Sequence, residues 1–166
     1  MKEMFESKLK NIIWLTGESG SGKTTLAKHM SKELNAIILD GDEMRKSISI
    51  NFGFSKKDRA EHNYKVARLA KILSKQYNVI VSVICPMQKV RNNITNLINP
   101  FWVYVERELP KRKNYFYEIP SNYFTINNDN NSINENVNKI LKEYYNNEKW
   151  RSIFRRKKGQ VLFGRN

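Results

Sequence analysis

The sequence predicts an α/β fold, a parallel sheet of about five strands with helices on both faces. Short, continuous, β-branched apolar runs alternate along the chain with segments of helical period. Residues 78–84 read NVIVSVI, the pattern of a strand buried on both faces. A glycine-rich stretch at 17–22 joins the first apolar run directly to the first helical segment. Strands separated by helices return to the same edge of a sheet, and so run parallel.

Taken in order, residues 11–16 (NIIWLT) form a short buried strand, and Leu26, Met30 and Leu34 give residues 24–34 a helical stripe. Residues 36–39 form the second strand. Ser55 followed by Asp58 reads as a helix start, and Tyr64, Ala67, Ala70 and Leu73 continue it as one long helix over about 56–77 with a basic opposite face. Residues 78–84 are the central strand, Val90, Ile94 and Leu97 mark a helix, and 101–105 and 123–126 are the fourth and fifth strands. Ser132 and Glu135 make a capping box before Ile133, Val137, Ile140, Leu141 and Tyr144. The Asn-rich stretch 127–138 reads as a loop and the start of that helix, and the chain carries no internal repeat.

A chain of 166 residues, 40% hydrophobic and 11% aromatic, is long enough for one sizeable core. One domain is expected over 1–148, followed by a basic tail at 149–166. With 28% charged residues and no apolar run of about eighteen, a membrane-spanning or secreted protein is disfavoured. The single cysteine, Cys85, has no partner for an internal disulfide or a thiolate metal site, and a cytoplasmic enzyme is the expectation. Of the net charge of +14, half comes from Lys149, Arg151, Arg155, Arg156, Lys157, Lys158 and Arg165. The remainder suits steering of anionic phosphate substrates, with no stable nucleic-acid partner expected. A homodimer is compatible with the sequence.

The strongest chemical signal is Gly17-Glu18-Ser19-Gly20-Ser21-Gly22-Lys23-Thr24, with Thr25 next. It fits G-x-x-x-x-G-K-[ST] between a strand and a helix, the pattern of a P-loop. The glycines let successive backbone N–H groups face phosphates, Lys23 reaches the β and γ phosphates, and Thr24 offers a hydroxyl to Mg²⁺. ATP binding follows. A second cluster stands at the end of the second strand: Asp40, Gly41, Asp42 and then Arg45. Carboxylates there can hold hydrated Mg²⁺ or take a proton from an attacking hydroxyl, and Arg45 can fork an anion. The same residues also suit a turn that caps the next helix.

Together with Asn51 to Arg59 (NFGFSKKDR), these blocks resemble the adenylylsulfate kinase family, which phosphorylates the ribose 3'-hydroxyl of adenylyl sulfate. GESGSGKTT, LDGDEMR, NFGFSKKDR and, more loosely, VICP with Arg91 occur in the family's order over about residues 10–106. The resemblance implies a P-loop kinase fold, Mg-ATP and a small nucleotide acceptor. It implies catalytic roles for Lys23, Asp42 and Asp40, with Asp42 orienting or deprotonating the hydroxyl and Asp40 near the metal beside Thr24. Arg45, Phe54, Arg59, His62, Ile84 and Cys85 would face the acceptor, Phe54 by stacking on its base. Phe54 as a core aromatic, Arg59 as a helix-surface charge, and His62 as a solvent-facing histidine are the alternatives. Cys85 reads as a buried thiol at a strand end rather than a nucleophile.

The chain departs from the family pattern at His62-Asn63-Tyr64-Lys65 and Cys85-Pro86-Met87-Gln88, and its lid is shortened to about 107–120. Arg107, Arg112 or Lys113 and the aromatics 115–117 are candidates to replace the lid's contacts. These changes sit where the acceptor's base and 5' group would lie. The chain resembles in this respect cytidine diphosphoramidate kinase, a relative within the family that serves capsule modification, and that acceptor is the leading expectation, with adenylyl sulfate the alternative. A P-loop ATPase that binds RNA through its basic tail is the competitor from another class; it leaves the DGD-x-x-R and GFS-x-x-DR blocks without a role.

Overall fold

The computed structural model describes residues 11–110 and 116–147. Strands β1 (Ile12–Thr16), β2 (Ala36–Asp40), β3 (Asn78–Ser82), β4 (Phe101–Glu106) and β5 (Phe124–Asn127) form one sheet in the order β2-β3-β1-β4-β5. Every neighbouring pair runs parallel. Helices α1 (Lys23–Leu34) and α5 (Ile133–Asn146) cover one face, α3 (Lys56–Leu73) and α4 (Gln88–Ile98) the other, and a short α2 (Gly41–Lys46) follows β2. This is the α/β architecture expected.

The position of β1 explains why its sequence is apolar from Ile12 to Leu15. Ile13 and Leu15 enter the core shared with Leu26, Met30 and Ile140, while Ile12 and Trp14 enter the core shared with Val66, Ala70 and Ile94. A central parallel strand has no solvent face. Trp14 is fully buried, its ring 5.0 Å from that of Trp102, and Trp102 stacks in turn on Tyr123 at 5.2 Å.

The helix ends follow local chemistry. Ser55 accepts the Asp58 N–H, and Ser132 with Glu135 forms the reciprocal capping box. α1 and α4 each stop at an asparagine in the left-handed region, Asn35 at φ 47 and Asn99 at φ 42, a conformation that asparagine tolerates.

Several boundaries differ from the sequence reading, most of them by one residue. The long helix stops at Leu73 rather than 77: the Lys75 N–H bonds to Ile72 O and the Gln76 N–H to Leu73 O, tighter i−3 links that close it. β3 stops at Ser82 rather than 84, because the Val83 and Ile84 carbonyls accept side-chain hydrogen bonds from Trp14 Nε1 and Thr16 Oγ1, and Cys85 then turns to φ 43. β2 runs one residue further, to Asp40, and β5 lies one residue later than expected. α2, a six-residue helix, has no range in the sequence reading, but the carboxylate of Asp40 caps it, as the capping alternative for Asp40-Gly41-Asp42 has it. Among the described residues no helix is long and apolar enough to cross a membrane. The basic tail at 149–166, and Arg112, Lys113 and Tyr115 of the shortened lid, lie outside the described residues.

Candidate active site

The phosphate loop occupies the turn from β1 into α1. Only glycine fits at Gly17, since a Cβ there would collide with the Val105 carbonyl of the neighbouring strand. Lys23, at the first turn of α1, is buried and folds its ammonium back over the loop, bonding to the carbonyls of Gly17 at 2.9 Å and Glu18 at 2.6 Å and to Ser21 Oγ at 3.4 Å. Burial lowers its pKa from 10.5 to about 8, against the opposing pull of Asp40, Asp42 and Glu18. The ammonium is thus held among loop oxygens that anionic phosphate oxygens can replace.

Thr24 and Asp40 come together from different elements. Thr24 Oγ1 donates to Asp40 Oδ2 at 2.7 Å and lies 3.3 Å from the Ser82 hydroxyl, while Asp40 Oδ1 accepts the Asp42 N–H at 3.1 Å. The parallel register sets Asp40 beside Ser82 at adjacent strand tips. A hydroxyl and a carboxylate are hard oxygen donors suited to Mg²⁺. Two such ligands are too few to hold the ion alone, so the set fits a metal that brings phosphate and water oxygens with it.

Next to this pair opens a cavity of about 370 Å³ at the carboxyl ends of the strands, where ligands sit in open α/β sheets. Ser19, Gly20, Lys23 and Thr24 line it on the loop side. Asp40, Asp42 and Arg45 line it from β2 and α2, Phe54, Arg59 and His62 from the α3 side, and Ile84 and Cys85 from the end of β3. Gly17, Glu18 and Ser21 surround the Lys23 ammonium behind this wall, Gly22 caps α1, and Thr25 is exposed on that helix.

Three of the alternative readings are resolved by position. Phe54 is 69% exposed and so is no core aromatic. Arg45 lies 4.5 Å and Arg59 5.6 Å from its ring centroid, and the two arginines donate to Gly53 O and Phe54 O. Arg59 therefore belongs to the cavity wall. Burial and the nearby Arg59 cation push Arg45 below its ordinary pKa. His62 is 2% exposed and does not face solvent; its Nδ1 lies 2.9 Å from the Ser49 hydroxyl. Burial, then the Arg45 cation, lower its pKa to about 4, which leaves the ring neutral at physiological pH. Cys85 is fully buried and its thiol is pushed well up by that burial, as expected of a thiol that is not a nucleophile.

Other wall residues carry no role in the sequence reading, although Asn63 and Pro86 lie in its two stretches of departure from the family pattern. Asn63 lines the cavity with Arg59 and His62, at helical spacings of three and four on one face of α3. Its Nδ2 donates to Arg59 O at 2.8 Å, and its buried Oδ1 has no partner among the described residues. Ser82, Val83 and Pro86 also contribute. In the segment expected as a shortened lid, the Tyr117 hydroxyl meets Thr16 Oγ1 at 2.9 Å and the Glu118 N–H donates to Pro86 O. Buried Arg91 bridges the Cys85 and Glu118 carbonyls beneath it. Of the candidate lid replacements, Arg107 reaches the phosphate loop at Gly20 O, 3.5 Å away, and pairs with Asp129 at 3.6 Å.

A phosphate loop leading into a helix, an acidic strand tip facing it, and a parallel five-stranded sheet define a P-loop kinase fold. The family model for adenylylsulphate kinase matches residues 10–114, and the chain belongs to that family. It is 44% identical over 107 residues to the "Probable adenylyl-sulfate kinase" of Pyrococcus abyssi, a match covering 60% of this chain and 62% of that one. It is 35% identical over 106 residues to the "Probable adenylyl-sulfate kinase" of Bacillus subtilis, covering 58% and 54%. These matches thus span less than two thirds of those relatives' lengths. The Mycobacterium tuberculosis APS kinase CysC, solved in complex with AMPPNP and APS, superposes with a TM-score of 0.71 over 79% of this chain and 95% of that one, at 24% identity.

Proposed function

We propose that this chain is an ATP-dependent kinase that transfers the γ-phosphoryl group to the ribose 3'-hydroxyl of a small 5'-modified nucleotide, and that the acceptor is adenylyl sulfate. The observation that carries this reading is the shared cavity: Lys23 and Thr24 stand on one side of it and Asp42, Arg45, Phe54 and Arg59 on the other. A site for both substrates with a carboxylate between them is what in-line transfer needs. The related proteins carry adenylyl-sulfate kinase names, which favours adenylyl sulfate over the cytidine diphosphoramidate expected from the shortened lid.

In this reading the Lys23 ammonium and the loop amides meet the charge that spreads over the transferring group. Asp42, whose carboxylate makes no hydrogen bond or ion pair with the described residues, orients the 3'-hydroxyl and takes its proton. Thr24 and Asp40 hold Mg²⁺, which supplies neutralisation of the phosphate oxygens when bound. Arg45 and Arg59 fork the acceptor's anionic 5' end, and Phe54 stacks on its base.

The test is to incubate purified protein with Mg-ATP and, separately, adenylyl sulfate, cytidine diphosphoramidate and ordinary nucleotides, and to locate new phosphate by phosphorus NMR. A 3'-phosphate formed fastest on adenylyl sulfate is expected. Preference for cytidine diphosphoramidate returns the acceptor to that alternative, and no transfer with RNA-stimulated ATP hydrolysis replaces the kinase reading.

A further inference from the structure

The loop after β5 presses against the phosphate loop from outside the cavity. Asn128 donates from Nδ2 to the Ser21 carbonyl at 2.6 Å. Behind it stands Asn136 of α5, fully buried, whose Nδ2 donates to Asn128 Oδ1 at 2.7 Å and to the Asn127 carbonyl at 3.0 Å. Because Asn128 Oδ1 is occupied as an acceptor by Asn136, its amide group is forced toward Ser21. A second observation marks the same contact. A Cβ on Gly22 would lie 2.5 Å from Asn128 Nδ2, and Gly22 has φ 97, so both the backbone and the neighbour require glycine here.

Glycine leaves the peptide between Ser21 and Gly22 free to rotate unless something holds it. In a trans peptide the carbonyl and the N–H point in opposite directions. A grip on the Ser21 carbonyl from the Asn128 side therefore sends the Gly22 N–H away from Asn128. We propose that Asn128 is a positioning residue for nucleotide binding: by holding the Ser21 carbonyl, and being itself locked by Asn136, it keeps the Gly22 amide aimed at the bound phosphates. The inference rests on the reading of this loop as a phosphate cradle, and not on the identity of the acceptor.

Two measurements test it. The first is titration of Mg-ADP into ¹⁵N-labelled wild-type protein. The Gly22 amide is expected to shift downfield with those of its loop neighbours; a Gly22 resonance that stays put while its neighbours move overturns the proposal. A protein that binds no ADP removes the nucleotide reading itself, which is a different result. The second compares Asn128→Asp, which keeps the shape and the Asn136 contact but replaces the donor by an acceptor, with the neutral Asn128→Leu. Both are expected to weaken ATP binding roughly tenfold to a hundredfold by calorimetry, with the acceptor KM nearly unchanged. Wild-type ATP affinity in Asn128→Leu, whether or not Asn128→Asp is impaired, overturns it, since loss of the Asn128 donor would then cost nothing.

Discussion

Thr24 on α1 and Asp40 at the tip of β2 meet through a 2.7 Å hydrogen bond, and the other oxygen of the same carboxylate caps α2 through the Asp42 N–H. One side chain thereby fixes both the phosphate-loop hydroxyl and the helix that carries Asp42 and Arg45. Asp40→Ala removes both links. It is expected to lose about 1 kcal/mol of stability from the cap and to raise the Mg²⁺ concentration for half-maximal rate roughly tenfold or more. Asp40→Asn keeps an N-cap oxygen, so it should retain stability in urea denaturation while still requiring more Mg²⁺. Equal Mg²⁺ requirements for Asp40→Asn and wild type count against the metal role.

The Lys23 ammonium, with its pKa lowered to about 8, gives ATP binding a pH signature. Bound polyphosphate favours the charged form, so the complex keeps its proton to higher pH than the free protein. ATP affinity is expected to be flat below pH 8 and to fall above it by up to about tenfold per pH unit. Lys23→Met, which has no such proton, should bind weakly and without that slope. Stability of the free protein moves the other way: between 8 and 10.5 the unfolded chain binds more protons, so folding strengthens as pH rises. Calorimetric titration from pH 7 to 10 reads the first effect and urea midpoints the second.

His62 predicts an acid-side effect. Its folded pKa of about 4 lies below its ordinary 6.5, so the unfolded chain binds the extra proton between these values. The stability associated with the neutral, buried ring is present above pH 6.5 and is lost as pH falls toward 4. His62→Gln should show a smaller loss of urea midpoint over that interval. An identical loss in both proteins contradicts the assignment of the slope to His62.

Phe54 separates binding from folding. Its ring is 69% exposed, so Phe54→Ala should leave the melting temperature nearly unchanged, whereas truncating a fully buried aromatic such as Trp14 costs about 3–5 kcal/mol. Loss of a base-stacking surface should raise the acceptor KM roughly tenfold, with ATP affinity retained. Unchanged acceptor KM removes Phe54 from the acceptor site.

The sheet and its order of elements were legible because β1, β3 and β4 are buried on both faces and write that fact as continuous apolar runs. α2 was not, since its six residues GDEMRK carry no apolar period and are held by a cap from Asp40. The end of β3 was read too far because Val83 and Ile84 look like strand residues. Their carbonyls are taken by Trp14 and Thr16, nearly seventy positions earlier in the chain. The site divides in the same way. The phosphate loop, the Asp40 to Arg45 cluster and the Phe54 to His62 stretch announce themselves as local patterns, and they do converge on one cavity. Asn63 and Tyr117 stand in stretches that the sequence marks only as departures from the family or as lid aromatics, and Asn128, which meets Ser21 across about a hundred residues, is marked by no local pattern.

The central claim is that Asp42 faces an acceptor hydroxyl beside a bound triphosphate. Asp42→Asn tests it with one comparison, the rate of 3'-phosphoryl transfer against the dissociation constant for ATP in the same preparation. The expected result is transfer slowed at least about a hundredfold with ATP affinity within about threefold of wild type. Transfer at close to the wild-type rate, with the product still phosphorylated at the 3' position, contradicts the account.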